Sequence, residues 1–311
     1  MIQDDIKDTI MIGAGPSSLA AAVYTTRENI GTVLYEKGAV GGLAAITDII
    51  DNYPGFPDGI EGLALAGQLE KQAERFGAKI EFGDVSAIRD EGTVKVVTVD
   101  GVEVKAKTVL IATGSDYNKI GVPGEAEYYG RGVHYCATCD GAFYREKRLV
   151  VVGGGNSAVQ EAIFLTRFTS HIDLLVRSTI KASKVLLSDL QKLVDEGQIT
   201  VHVSTTTEEI VAVDGKVNSV RAIKDGKPVT FEIDGVFIFV GLKPNTQFLA
   251  GSGIELDIQG LIKTDTKLQT SIPGIFASGD VRSGATMQIA SAVGEGATAA
   301  LSIREYIDEH K

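Results

Sequence analysis

The stretch Val133–Phe143, VHYCATCDGAF, holds both cysteines of the chain, Cys136 and Cys139, with Asp140 directly after them. Two thiols at this spacing can close a small crosslink, supply half of a metal site, or trade electrons with an outside disulfide. A carboxylate beside them can carry the proton that such exchange requires. A metal site would need two further soft ligands. The four histidines, His134, His171, His202 and His310, offer no pair at ligand spacing, and no metal is expected. A purely structural crosslink would close a loop of only a few residues and gain little. The redox reading uses more of the motif: a C-x-x-C pair near a helix start has a lowered thiol pKa, and thiolate is the reactive form. His134 reads as a surface or packing residue rather than a catalytic one.

A redox pair needs a source of electrons, and two segments elsewhere in the chain look built to hold one. Ile10–Ala22 (IMIGAGPSSLAAA) and Val150–Ala162 (VVVGGGNSAVQEA) share one pattern: an apolar run, G-x-G, then small residues opening a helix. Gly13 aligns with Gly153 and Gly15 with Gly155, and at the same offset Thr32–Lys37 (TVLYEK) falls on Ile172–Arg177 (IDLLVR), each reading as a second buried strand. The chain therefore carries two β–glycine turn–α–β units of dinucleotide-binding type. In such a unit the first glycine allows the tight turn. The second lets backbone approach a pyrophosphate, which then sits at the positive end of the helix. The third glycine position is taken by Ser18 and Ala158, still small enough for close helix–strand packing.

The residue closing the second strand reports on the ribose. In the first unit it is Glu36, a carboxylate that accepts hydrogen bonds from ribose hydroxyls and repels a 2′-phosphate. In the second unit the aligned residue is Val176, followed by Arg177 and Lys181, two cations within range of a 2′-phosphate.

Length and composition bound the rest. The 311 residues suggest two domains or one large one, and 44% apolar with 23% charged residues is ordinary for a globular chain. With 36 glycines and only 7 prolines, tight turns are indicated rather than disorder. A formal net charge of −11 argues against nucleic acid or an anionic membrane as the main partner. No basic, apolar leader and no 18-residue apolar run is visible, so no signal peptide and no transmembrane helix are expected. The expected compartment is the cytoplasm, where a C-x-x-C pair is catalytic or metal-binding more often than structural.

Together, GAGP (Gly13–Pro16), Glu36, the pair Gly41–Gly42, DNYPGFP (Asp51–Pro57), ATG (Ala112–Gly114), GVPGE (Gly121–Glu125), CATCDG (Cys136–Gly141), GGGNSA (Gly153–Ala158), FVGLKPNT (Phe239–Thr246) and SIPGIFASGDV (Ser271–Val281) make the chain resemble the low-molecular-weight thioredoxin reductases from end to end, in the family order. The resemblance implies an α/β fold of two Rossmann-like dinucleotide-binding domains, the second inserted into the first. An FAD domain would comprise 1–117 and 248–311, and a nicotinamide-type domain carrying the C-x-x-C would comprise 118–247. FAD would be held by Gly13, Gly15, Pro16 and Ser17 at its pyrophosphate and by Glu36 and Lys37 at the ribose. Val85 would offer backbone to the adenine. Gly41, Gly42, Leu43 and Asn52 would line the flavin half, with Ala112, Thr113 and Gly114 in a turn over the cofactor. Gly279 and Asp280 would bind the ribityl-phosphate part, and Met287, Gln288 and Ile289 would lie near the isoalloxazine. Gly153, Gly155, Asn156, Ser157, Arg177 and Lys181 would form the nicotinamide site.

The resemblance also assigns roles at the dithiol. Cys139 would accept electrons from the flavin, Cys136 would attack the thioredoxin disulfide, and Asp140 would protonate the departing thiolate. It further implies a homodimer and a rotation of one domain against the other during turnover.

The chain departs from the family pattern around the electron donor. The family's H-R-R-x-x-x-R is here Leu175-Val176-Arg177-Ser178-Thr179-Ile180-Lys181. Lys is a point charge where Arg would offer a bidentate fork, so recognition of a 2′-phosphate should be weak. The family's GGQL is here Gly41-Gly42-Leu43-Ala44, which loses the Gln at Leu43, a His is replaced by Leu242 and an Arg by Met287. The expected function is thioredoxin-disulfide reduction, with NADPH, NADH or reduced ferredoxin as donor. The alternatives are a flavin-dependent reductase of another small disulfide protein, or a non-catalytic flavin redox sensor.

Overall fold

The computed structural model describes residues 6–47 and 49–310. The chain divides into two compact units, Met1–Asp116 with Lys243–Lys311, and Tyr117–Leu242. The outgoing segment Ser115–Tyr117 and the returning segment Leu242–Pro244 pair as a two-stranded ribbon. Backbone bonds from Asn118 N to Gly241 O and from Asn245 N to Gly114 O flank it. The return therefore comes at 242/243, ahead of the 247/248 expected from the sequence.

The first unit is built on a sheet of seven strands among the described residues. Its order is Lys79–Phe82, Thr32–Glu36, Lys7–Ile12, Val102–Ile111, Val94–Val99, Val85–Glu91, and Ile275–Ala277 adds alongside Val102–Ile111. The strand Lys7–Ile12 is parallel to both neighbours. Its second half, Ile10–Ile12, is continuously apolar because both faces are covered there: Ile10 and Ile12 join one core with Val33 and Tyr35, while Met11 faces the other core with Leu34. Each of these fully buried aliphatic side chains contributes about 1.5–3 kcal/mol.

The helices Pro16–Arg27 and Ile289–Glu309 pack in the second of these cores. Their backbones come close at Gly296, where an added Cβ would collide with the carbonyl oxygen of Ser17.

The second unit repeats the design on a smaller scale. Five parallel strands run in the order Val133–His134, Gly235–Ile238, Arg148–Val152, His171–Leu175, Ile199–His202. An antiparallel sheet of Thr205–Val213, Lys216–Lys224 and Lys227–Glu232 completes it. The internal repeat seen in the sequence is thus a structural one. Strand Lys7–Ile12, helix Pro16–Arg27 and strand Thr32–Glu36 correspond to strand Arg148–Val152, helix Asn156–Leu165 and strand His171–Leu175. No helix among the described residues is long and apolar enough to cross a membrane.

Two glycines of the last helix should respond oppositely to one extra methyl group. Gly294 faces open space, while Gly296 abuts the backbone of the neighbouring helix. Gly294→Ala should raise stability by about 0.5–1 kcal/mol through helix propensity. Gly296→Ala should lose that gain and about 1–3 kcal/mol more to overpacking. Thermal melts of the two variants measure the difference.

Candidate active site

In the first unit, the glycine turn joins the strand Lys7–Ile12 to the helix Pro16–Arg27. Gly13 has φ +93°, and a Cβ there would lie 2.6 Å from the carbonyl oxygen of Ala112. Only glycine satisfies both the conformation and the close approach. Gly15 caps the helix without any side-chain bond, Pro16 stands at its first position, and no acidic residue occupies the first turn. A Cβ on Gly15 would meet nothing within 4 Å. This is a helix N-terminus with its positive end uncapped and its approach clear, which fits a pyrophosphate.

Glu36 is already engaged by the backbone around it. Its Oε2 accepts from Ala14 N at 2.7 Å and its Oε1 from Gly38 N at 2.8 Å. The carboxylate thereby ties the glycine turn to the end of the second strand, next to exposed Lys37. Gly41 N donates to Ala14 O at 2.8 Å, and Gly42 lies against Gly15. The Gly41–Gly42 turn and the short helix Gly42–Ala45, which contains Leu43, therefore adjoin the same loop.

The C-terminal segment closes the other side. Ser17 Oγ and Ser278 Oγ share a buried hydrogen bond of 2.7 Å. Gly279 N donates to Glu295, which Arg282 grips through both carboxylate oxygens at 3.1 and 2.5 Å. Ser115 Oγ donates to the Asp280 carbonyl at 2.5 Å. The Asp280 carboxyl is pushed up to about 6 by burial and, second, by the Glu295 carboxylate.

Thr113 and Asn245 clasp each other. Thr113 Oγ1 donates to Asn245 O at 2.7 Å, and Asn245 Nδ2 donates to Thr113 O at 3.0 Å. This holds the Ala112–Gly114 turn. Asn52 Nδ2 donates to Gln288 Oε1 at 3.1 Å, just ahead of the helix that begins at Ile289. Met287, the residue before Gln288, sits at φ +56°, in the left-handed region that side-chain-bearing residues seldom adopt. Val85 is buried and opens its strand. Sequence reasoning had not picked out Ser278, Glu295, Arg282 or Asn245: Ser278 and Asn245 meet partners far away in the chain, and Arg282 meets Glu295 only because the last helix folds back on the turn at Gly279.

In the second unit, Gly153 and Gly155 repeat the turn. A Cβ on Gly153 would lie 2.7 Å from Ala158 Cβ, and Gly155 caps the helix Asn156–Leu165 without a side-chain bond. Asn156 Oδ1 accepts from Ser183 N at 2.8 Å, while Ser157 is exposed. Lys181 N donates to Gly154 O at 2.6 Å, which brings the segment after Val176 alongside the glycine loop. Arg177 and Lys181 are exposed there. Leu175 and Val176 are core residues, and a Cβ on Gly154 would lie 2.6 Å from Val176 Cγ1.

Within this second unit lies the dithiol. Cys136 and Cys139 form a disulfide with Cα atoms 5.3 Å apart. The helix Ala137–Asp140 is capped by Cys136, whose Sγ accepts from Cys139 N at 3.2 Å. A helix N-terminus at a cysteine sulfur favours thiolate when the bond is reduced. Asp140 closes this turn. His134 is buried, the packing alternative of the two expected, and it also has polar partners: its Nδ1 lies 3.0 Å from Asp140 Oδ2 and its Nε2 2.7 Å from Tyr144 Oη. The available signal was proximity, since His134 lies two residues before Cys136 and Tyr144 four after Asp140.

A family model described as pyridine nucleotide-disulphide oxidoreductase matches residues 7–296. The chain is similar to the thioredoxin reductase of Bacillus subtilis (strain 168), at 41% identity over 99% of this chain and 97% of that protein. It is similar to the thioredoxin reductase of Listeria innocua, at 40% over 99% and 96%. Among solved structures it resembles thioredoxin reductase from Streptococcus pyogenes MGAS5005, at 40% identity with a TM-score of 0.93, covering 99% of this chain and 100% of that one.

Asp280 generates a pH prediction. Its carboxyl is raised from 3.8 to about 6, so protonation favours the folded state. The stability tied to that proton is present below 3.8 and is lost as the pH rises through about 6. Asp280→Asn cannot ionise. In the FAD-free protein it should therefore raise the melting temperature near pH ~8, with the advantage shrinking towards pH ~5. Melting curves of both proteins across that range check the sign.

Proposed function

From the premise that this chain belongs to the pyridine nucleotide-disulphide oxidoreductase family and, within it, to the thioredoxin reductases, we propose that it is an FAD-dependent thioredoxin-disulfide reductase with weak discrimination among electron donors. The observation that carries the activity is the Cys136–Cys139 disulfide at a helix N-terminus with Asp140 in the same turn.

The residues of the first unit fit the cofactor. Gly13, Gly15, Pro16 and Ser17 present an uncapped helix end to its pyrophosphate. Glu36 and Lys37 would hold the ribose, and Val85 would offer backbone to the adenine. Gly41, Gly42, Leu43, Asn52 and the Ala112–Gly114 turn line the flavin half, with Gly279, Asp280 and Met287–Ile289 beyond. FAD supplies the two electrons that open the disulfide.

The remaining chemistry belongs to side chains. Cys139 takes up the electrons. The Cys136 thiolate attacks the thioredoxin disulfide, and Asp140 delivers a proton to the sulfur that leaves. Thioredoxin is the partner that the family membership supplies. A homodimer and a cytoplasmic setting complete the reading.

Support for weak donor discrimination comes from Val176. Where the family pattern has an arginine, this side chain is 2% exposed and packs on Gly154. The cations left for a 2′-phosphate are Arg177 and Lys181, and Lys181 cannot offer a planar fork. NADPH, NADH and reduced ferredoxin are accordingly all candidate donors, with the glycine loop Gly153–Gly155, Asn156 and Ser157 able to receive a pyrophosphate.

Cys136→Ser and Cys139→Ser should each abolish thioredoxin reduction while FAD stays bound. Turnover assays beside flavin absorbance test this, and turnover surviving in both variants would refute the dithiol mechanism. Anaerobic flavin bleaching with each donor in turn, followed by steady-state kinetics, should show kcat/KM for NADPH within about tenfold of that for NADH, a difference of ~1.4 kcal/mol. A preference of about a thousandfold would mean that Arg177 and Lys181 recognise the phosphate well.

A further inference from the structure

We propose that His134 is a positioning residue for proton transfer at the dithiol: held between Asp140 and Tyr144, it keeps a close polar contact from Nδ1 to the Asp140 carboxylate and so fixes that group for the exchange reaction. This rests on the reading of Asp140 as the acid.

His134 ends the strand Val133–His134, and its side chain is 5% exposed. The imidazole stacks on Phe237 with ring centroids 5.0 Å apart and meets the Tyr144 ring edge-on. Both ring nitrogens have side-chain partners, Asp140 at 3.0 Å and Tyr144 at 2.7 Å. The titratable groups around this cluster are Asp140, Tyr144, Tyr129, which faces Asp140, and Asp234, which faces Tyr144.

Burial, and then the Asp140 and Asp234 carboxylates, hold the Tyr144 hydroxyl well above its ordinary pKa, so it keeps its proton. A carboxylate accepts only, so the 3.0 Å approach of Asp140 Oδ2 calls for the hydrogen on Nδ1, and Nε2 is then left to accept from the Tyr144 hydroxyl at 2.7 Å. The two partners together select the tautomer in which Nδ1–H faces the carboxylate. The seat for Tyr144 is built into the sheet: at Gly235, a Cβ would lie 2.7 Å from Tyr144 Cζ. Glycine is present there for space.

In the exchange, the reduced pair loses two electrons and thioredoxin gains them. As the Cys136 thiol ionises, its proton passes to Asp140. The Cys136 thiolate attacks the thioredoxin disulfide, a mixed disulfide forms, and one thioredoxin sulfur leaves as thiolate and takes the proton from Asp140. Asp140, again a carboxylate, is held by Nδ1–H of His134 and accepts the proton of the Cys139 thiol. The Cys139 thiolate then attacks Cys136, closing the protein disulfide and releasing the second thioredoxin sulfur, which takes that second proton. An acid used twice per turnover gains from a fixed orientation.

The test uses FAD-loaded protein reduced with dithionite and mixed with oxidised thioredoxin in a single turnover. His134→Leu should slow thioredoxin reduction by about tenfold, with FAD content and flavin bleaching by dithionite unchanged. His134→Asn, whose amide N–H lies close to the position of Nδ1, should recover most of that loss. The proposal is overturned if Leu matches the native rate, if Leu and Asn lose equally, or if flavin bleaching falls together with exchange. Should His134→Leu fail to fold, Tyr144→Phe decides: a severalfold slower exchange is expected, and a native rate refutes the idea. Asp140→Asn separates the two readings. If it leaves exchange at the native rate, the acid assignment itself fails; if it slows exchange while His134→Leu does not, only the role of His134 fails.

Discussion

The larger unit depends on a backbone that must run close to other backbone and still leave a helix end open. At Gly13 the chain passes the carbonyl of Ala112, one strand away, and at Gly296 a second helix lies directly on Ser17. A side chain at either place would force the elements apart. Around this contact, Glu36 ties the turn to the second strand, and Gly41 N ties the next loop to Ala14 O. The result is a helix N-terminus whose donors remain available because no side chain caps it. An anion-binding turn has to be held rigidly by its neighbours and left empty at its centre, and both conditions are met here.

The smaller unit applies the same turn and then adds chemistry in a separate short segment. Five residues of chain, Cys136–Asp140, bring two sulfurs, a helix start and a carboxylate together. Local sequence is sufficient for that cluster. What surrounds it is assembled from a distance: Phe237 comes from a different strand than His134, and the seat for Tyr144 exists because position 235 has no side chain. A dithiol can be specified in one turn of helix, whereas the orientation of its acid calls on residues from several elements.

Electrostatics divide the two glycine loops. In the first, a carboxylate closes the second strand and is occupied by two backbone N–H groups, so it serves the loop as well as any ribose. In the second, the corresponding position is apolar and turned into the core. The aligned sequences already showed the exchange of Glu36 for Val176. The packing of Val176 against Gly154 adds that this side chain forms part of the loop's floor. Asp280 shows the converse, a carboxyl kept partly buried beside Glu295 at a cost to ionisation.

Much of this protein was legible in its residues. The repeated strand, glycine turn and helix were readable because each is local, and a turn that needs glycine or a strand buried on both faces leaves its mark within about a dozen residues. The adjacency of Cys136, Cys139 and Asp140 was likewise written in the chain. Only the tertiary structure decided who holds these groups in place. The Ser17–Ser278 bond spans 261 positions, the Thr113–Asn245 clasp 132, and the Arg282–Glu295 pair serves Gly279 rather than its own helix. The partners of His134 were hidden for the same reason. A side chain's partners are set by which strands lie side by side, and hydrogen bonds depend on angstrom-scale placement that residue type and spacing do not encode.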